Sequence, residues 1–238
     1  MTGFARKIYH MIRKVAYNNR VLTAEEREAY CRKADEYIDM YSGFIEEVFQ
    51  LSKEAAAVSG NPDSAEINKA MLEISAFTTS AFRDSIVWDK LFVRATNPYE
   101  KSLLRGKWRV HLNESFKKLY GFSESGHKVS YCAKLEQMII RFFPVFKGEF
   151  DELMSDFEQL SKESWWKEER NAEVHVDVAK LYELRHEEIN ESKVVMEAGQ
   201  LTSLIRRLDV FTRDVYGVYL NHAKAQFFKA YGYLPNLE

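Results

Sequence analysis

The sequence predicts an all-α fold, a bundle of about seven helices. Three observations carry that reading. Glycine (10) and proline (4) are scarce in 238 residues, so few positions break regular structure. Apolar residues recur at spacings of three and four along most of the chain, the period of a helix with one buried face. Start and stop signals fall where those stretches begin and end. Apolar residues make up 46% and charged residues 29%, the balance of an ordinary soluble protein with enough chain to bury a sizeable core.

Residues 3–18 form an amphipathic segment with Phe4, Ile8, Met11, Ile12 and Val15 on one face. Its other face is basic, and no acid precedes Glu25. A packed helix with a solvated basic face accounts for this pattern; a membrane-surface or RNA-contacting helix is the sharper alternative. Thr23-Ala24-Glu25-Glu26 reads as a capping box, with Thr23 at the N-cap and Glu26 at N3. The helix it opens should run to about Val58, where Ser59-Gly60-Asn61-Pro62 stops it. Asp63 or Ser64 opens the next, through about Arg94. Asn97-Pro98 then starts a helix with Pro98 at its first position, ending near Tyr120 before Gly121.

Gly121 to Gly126 reads as a loop, followed by a helix from about Lys128 that Pro144 breaks. Helix resumes near Phe146 or Gly148 towards Ser161, and Trp165 to Asn171 looks helical. Val174 to Val178 alternates apolar and polar, and is expected to be irregular backbone or a tight turn. Residues 187–196 are expected to connect. The last helix, about 199–231, carries the clearest seam: Leu201, Leu204, Leu208, Phe211, Val215 and Val218, broadened by Ile205 and Tyr219. His222 continues it and is expected to be a satisfied core residue. The Gly60-Asn61-Pro62 break is the expected boundary between an N-terminal helical extension, 1–60, and a helical bundle, 61–238.

Several classes are excluded. No phosphate-binding glycine loop, zinc-spaced cysteine pair or nucleophile elbow is present. Cys31 and Cys132 lie far apart and read as free buried thiols in a reducing compartment. No signal-peptide core and no apolar run of membrane-spanning length occurs, so the expected location is the cytoplasm, without membrane contact. The net charge of -2 advertises no global attraction to nucleic acid. Glu183-x-x-His186 and Glu124-x-x-His127 match the spacing of di-iron ligands, but one lies near a connection and the other in a loop, so no metal and no cofactor are expected.

One stretch points to chemistry: Arg170-Asn171-Ala172-Glu173-Val174-His175. Arg-Asn-x-x-x-His arises by chance in on the order of one chain of this length in a hundred. A guanidinium can grip the non-bridging oxygens of a phosphodiester through paired hydrogen bonds, and an imidazole can move a proton near neutral pH. Asn171 can orient either group. Such a set suffices for internal attack by a ribose 2′-hydroxyl, which makes RNA the substrate class. Residues five apart sit about 140° apart around a helix, so Arg170 and His175 do not share a face of one straight helix. A break near Val174, a reaching Arg170 or a two-fold dimer cleft could bring them together. As structural alternatives, Arg170 pairs with Glu169 or Glu173, Asn171 caps a helix end and His175 packs in a loop.

Around the motif stand Trp165-Trp166-Lys167-Glu168-Glu169 before it, Asp177 after it, and Leu204-Ile205-Arg206-Arg207-Leu208-Asp209 in the final helix. With Arg170-Asn171-x-x-x-His175, this arrangement resembles the HEPN superfamily (higher eukaryotes and prokaryotes nucleotide-binding domains), most of all its abortive-infection branch. The resemblance covers about 65–235, though only the motif is specific. It implies an all-α bundle that usually dimerises, and a metal-independent endoribonuclease of toxin–antitoxin or phage-defence systems. It implies Arg170 and His175 as catalytic residues with Asn171 as the motif's polar residue. RNA, a second copy of the chain, and an antitoxin or other protein are the implied partners. The alternative is a non-catalytic helical module that binds a protein or nucleotide.

Asp177 is expected to cap the following helix or to orient His175. Trp165 and Trp166 read as core anchors, with base-stacking platforms as the alternative, and Glu168 and Glu169 as a solvated face, with a charge-tuning partner for His175 as the sharper alternative. Lys101, Arg105, Lys107, Arg109, Lys117 and Lys118 form a mostly basic segment, expected to be an exposed helix face or an RNA-backbone track.

Overall fold

The Thr23 capping box forms as the sequence predicts. The Glu26 amide donates to Thr23 Oγ1 at 3.2 Å, and the Thr23 amide donates to Glu26 Oε2 at 2.8 Å. Two amides that a helix start leaves unpaired are thereby satisfied. They open α1, Ala24–Val58. The computed structural model describes residues 22–58, 62–162, 177–186 and 188–234. The predicted segment 3–18, the linker 59–61 and the stretch 163–176 lie outside the described residues.

α2 spans Pro62–Arg94 and α3 Pro98–Leu119. Asn97 caps α3, its Oδ1 accepting the amides of Tyr99 at 2.9 Å and Glu100 at 3.2 Å. α4 is a short helix, Glu124–Lys128, where a loop was expected. Ser123 begins it by accepting the Gly126 amide. Gly121 permits the turn before it: its φ is +84°, and a Cβ there would fall 2.5 Å from the carbonyl carbon of Gly126. α5, Tyr131–Phe142, starts at a Ser130 cap, later than the expected Lys128. Pro144 ends it and begins a 3-10 turn, Pro144–Phe146, and α6 follows as Lys147–Ser161. α7 is Val178–His186 and α8 is Glu191–Tyr231.

The start of α8 corrects the sequence reading, which took 187–196 for a connection. Asn190 caps the helix eight residues earlier than expected, its Oδ1 accepting the Lys193 amide at 3.0 Å. The described residues thus hold eight α-helices and no strand. None of those helices is long and apolar enough to cross a membrane.

The residues cluster into two compact units. The first comprises Met1–Ile38, Arg83–Phe116 and Leu160–Ser203. Its core includes Phe92, Trp108, Leu112, Phe116, Val195 and Leu201. The Phe92 and Trp108 rings meet at 5.9 Å. The second comprises Asp39–Phe82, Lys117–Gln159 and Leu204–Glu238. Its core includes Met71, Ile74, Leu135, Ile139, Phe157 and Tyr216. Phe146 and Phe150 flank Phe211 at 6.0 and 5.9 Å.

The α8 seam is buried from Leu201 to Val215 and then departs from its predicted line. Val218 and His222 are exposed, and burial passes to Tyr216, Tyr219 and Leu220. A strict heptad drifts about 20° per repeat around a 3.6-residue helix, which moves the stripe off Val218. His222 is therefore a surface residue, 2.8 Å from Gln226 Nε2, and not a core histidine.

Candidate functional site

Arg170, Asn171 and His175 lie outside the described residues, as do Trp165, Trp166, Glu168 and Glu169. The described chain resumes at Asp177, two residues after His175. Asp177 Oδ1 accepts the Lys180 amide at 3.0 Å, and its carbonyl accepts the Leu181 amide at 2.8 Å. Asp177 is thus the N-cap of α7, one of its two expected roles. α7 begins at Val178, with Asp177 outside it.

The far end of α7 is held by α3. The Leu184 carbonyl accepts from Arg105 Nη2 at 2.7 Å and from Ser102 Oγ at 3.3 Å. The last carbonyls of a helix have no partner within it and carry the negative end of its dipole, so a guanidinium suits that place. Lys101, Arg105 and Arg109 are spaced four apart and form one stripe along α3. Lys101 pairs with Glu191 in the first turn of α8, and Arg109 Nη2 meets Glu197 at 2.9 Å. From α1, Arg27 donates to the Val93 carbonyl at 2.6 Å and lies 3.6 Å from Glu191. Burial lowers the Lys101 pKa, and Glu191 opposes that shift.

This network corrects the expectation of an exposed basic face. Lys101 is 5% exposed and Arg105 3%, while Lys107, Lys117 and Lys118 are exposed. Buried cations persist only with partners, and the carboxylates and helix-end carbonyls supply them. Lys101, Arg105 and Arg109 brace α7 and α8; they do not present an RNA-backbone track.

Three further groupings escaped the sequence reading. Tyr30 OH donates to Asp89 Oδ2, and Asp89 Oδ1 is enclosed with no hydrogen-bond partner. Desolvation raises the Asp89 carboxyl to about 7, against the opposing pull of the Tyr30 hydrogen bond. The Tyr30 phenol is pushed well above its ordinary value by burial and then by Asp89. A visible signal existed: Asp89 interrupts the apolar run Ile86-Val87-Trp88-Asp89-Lys90-Leu91-Phe92. Next, Ser85 Oγ lies 3.2 Å from His111 Nε2, the contact a serine nucleophile needs, but Ser85 is fully buried and cannot meet a substrate. Finally, in the second unit, Asp209 is fully buried and accepts from Thr78, Thr79 and Arg213. The Arg213 guanidinium also lies over the Phe44 ring at 4.4 Å.

No group of three or more potential metal ligands occurs among the described residues. Of the two Glu-x-x-His pairs, Glu124 binds Lys128 at 2.9 Å, and His127 Nδ1 lies 2.8 Å from the Tyr120 carbonyl. Glu183 is an exposed partner of Lys180. Both cysteines are free thiols, Cys132 buried as expected but Cys31 only half-buried. Burial raises the Cys132 pKa, which keeps that thiol protonated and unreactive. No family profile, characterised protein or solved structure matches this chain.

Proposed function

We propose that this chain is a metal-independent endoribonuclease of the HEPN type, acting in toxin–antitoxin or phage defence as a cytoplasmic homodimer. The observation that carries this reading is the Arg170-Asn171-x-x-x-His175 spacing in an all-α chain. The capped and braced α7, which starts three residues past the motif, lends support as a firmly held element close downstream of it. In this mechanism a neutral His175 removes the proton of a ribose 2′-hydroxyl. The 2′-oxygen bonds to phosphorus as the bond to the 5′-oxygen breaks. An imidazolium protonates the departing 5′-oxygen, leaving a 2′,3′-cyclic phosphate and a 5′-hydroxyl. Arg170 neutralises the charge that builds on the non-bridging oxygens, and Asn171 orients the imidazole or the phosphate. Two motifs facing one cleft across a two-fold axis supply one base and one acid.

The test is incubation of purified protein with mixed RNAs in EDTA, beside His175→Ala and Arg170→Ala. The expected result is cleavage to cyclic-phosphate ends by the wild type alone. Equal cleavage by all three proteins, or none by any, removes the catalytic assignment. A wild type that binds RNA or a protein without cleaving RNA is instead the non-catalytic module.

A further inference from the structure

The last turns of α8 extend past the helices that flank them in the second unit. α1 runs parallel to α8: Phe44 lies against Arg213, and Glu54 pairs with Lys224. By that register the end of α1 at Val58 falls beside about residue 228. α2 runs antiparallel, with Tyr216 bonded to Asn68 and Tyr219 OH donating to the Ser64 carbonyl at 3.0 Å. Its first residue, Pro62, falls beside about residue 221. Beyond these points α8 overhangs, and from Phe228 to Leu234 every residue is exposed.

The overhang is aromatic. Phe228 is 55% exposed, Tyr231 62% and Tyr233 59%. The rings are held in place. Gly232 has φ +77°, and its amide donates to the Phe228 carbonyl at 2.8 Å, so the helix ends in a left-handed cap that turns Tyr233 back. The Tyr233 ring then meets Phe227 edge-on at 5.9 Å, and Phe227 meets Tyr231 at 4.6 Å. The overhang is also free of acid. Residues 222–234 contain His222, Lys224 and Lys229 but no Asp or Glu, in a chain with 36 acids among 238 residues. Lys229 is exposed, and Lys224 faces Glu54.

We propose that this end of α8 is a stacking platform for single-stranded RNA, with the Tyr231 and Tyr233 rings taking bases and Lys229 taking a phosphate. Any base offers a π face to an exposed ring, and a cation beside the rings tracks the backbone. Lys229 is the one charged residue among 225–234, which favours a polyanion over an apolar protein partner. The inference is independent of the motif, since it concerns binding and not cleavage.

Binding is measured on the full chain by fluorescence anisotropy with a labelled 2′-O-methyl oligouridylate 20-mer. This probe cannot undergo internal attack, so its binding reports on the platform whether or not the protein cleaves RNA. Tyr231→Ala with Tyr233→Ala should weaken binding by roughly thirtyfold or more, because each stacked ring contributes independently. Tyr231→Phe with Tyr233→Phe should keep wild-type affinity. Lys229→Gln should flatten the slope of log affinity against log salt by about 0.7. Unchanged affinity in the double alanine variant, or no binding by the wild type, overturns the proposal. So does an unchanged affinity accompanied by a change of oligomeric state in light scattering, which would identify the rings as a protein contact.

Discussion

Replacing Asp89 by asparagine isolates the energetic effect of a buried carboxyl in the first unit. Tyr30 OH donates to Oδ2, and Oδ1 has no partner. Cys31, beside Tyr30 on α1, feels Asp89 together with Asp35, Lys90 and Arg94. Desolvation raises the Asp89 carboxyl from an ordinary 3.8 to about 7. The native protein therefore keeps a proton that the unfolded chain releases. Stability from this group is full below about pH 4, falls as pH rises through the window from about 4 to 7, and is flat above it. Between pH 5 and pH 8 the loss is about 3 kcal/mol, at 1.36 kcal/mol for each pH unit over which the native state alone holds the proton.

Asparagine mimics the protonated acid without titrating. Its Oδ1 can accept the Tyr30 hydroxyl, while its Nδ2 replaces the unpartnered oxygen at a cost of about 1–3 kcal/mol. At pH 5 the variant should be less stable than the wild type, and at pH 8 equal or more stable. The amide penalty is common to both pH values, so it cancels when the stability difference at one pH is subtracted from that at the other. The residual change of about 3 kcal/mol belongs to the Asp89 proton. Urea denaturation at pH 5, 6, 7 and 8 measures it, with unchanged m-values as the check that the unfolded states match. Parallel stability–pH curves for the two proteins would refute the reasoning.

Two other perturbations follow from the geometry. Gly121→Ala forces an L residue to φ +84° and sets its Cβ 2.5 Å from Gly126 and 2.6 Å from His127 backbone atoms, so it should destabilise the protein by at least about 2 kcal/mol; a thermal midpoint within a degree of wild type would contradict this. Arg105→Ala leaves the Leu184 carbonyl with Ser102 as its remaining donor among the two described, and amide exchange across Val178–His186 should quicken by about tenfold or more. Exchange unchanged there, measured by mass spectrometry, would show that α7 does not depend on the guanidinium.

Helix punctuation was the most legible layer of the sequence. Thr23 with Glu26, Asn97 with Pro98, and Pro144 each act within a few residues through backbone geometry, and each lies where the structure uses it. Asn190 acts in the same way but was overlooked, because the stretch after it, Glu191-Ser192-Lys193, is polar; the first apolar residues to pack are Val194 and Val195. The charged stripe of α3 was misread for a different reason. Lys101 and Arg105 look like surface residues in sequence, and their burial depends on Glu191 and the Leu184 carbonyl, more than seventy residues away. No local pattern encodes that pairing. Asp209 is the same case, a charge on an apolar seam whose partners Thr78 and Thr79 lie on another helix.

The candidate site rests on residue types in the sequence, and its geometry lies outside the described residues. Arg170, Asn171 and His175 fit the proposed phosphodiester chemistry by residue type, yet their azimuths on a straight helix would part the cation from the base. Asp177 bears on this condition. As the N-cap of α7 it starts a helix at Val178, and α7 is held at its far end by Arg105 and Ser102. The basic residues of α3 thus enter the proposed chemistry indirectly. They hold the described element nearest downstream of the motif, and in the proposed mechanism need not touch RNA at all. Loss of Arg105 should then lower the cleavage rate while leaving phosphate contacts, and so the salt dependence of RNA binding, as they were. A backbone-tracking role would give the opposite pattern, a flatter salt slope with cleavage of bound RNA intact.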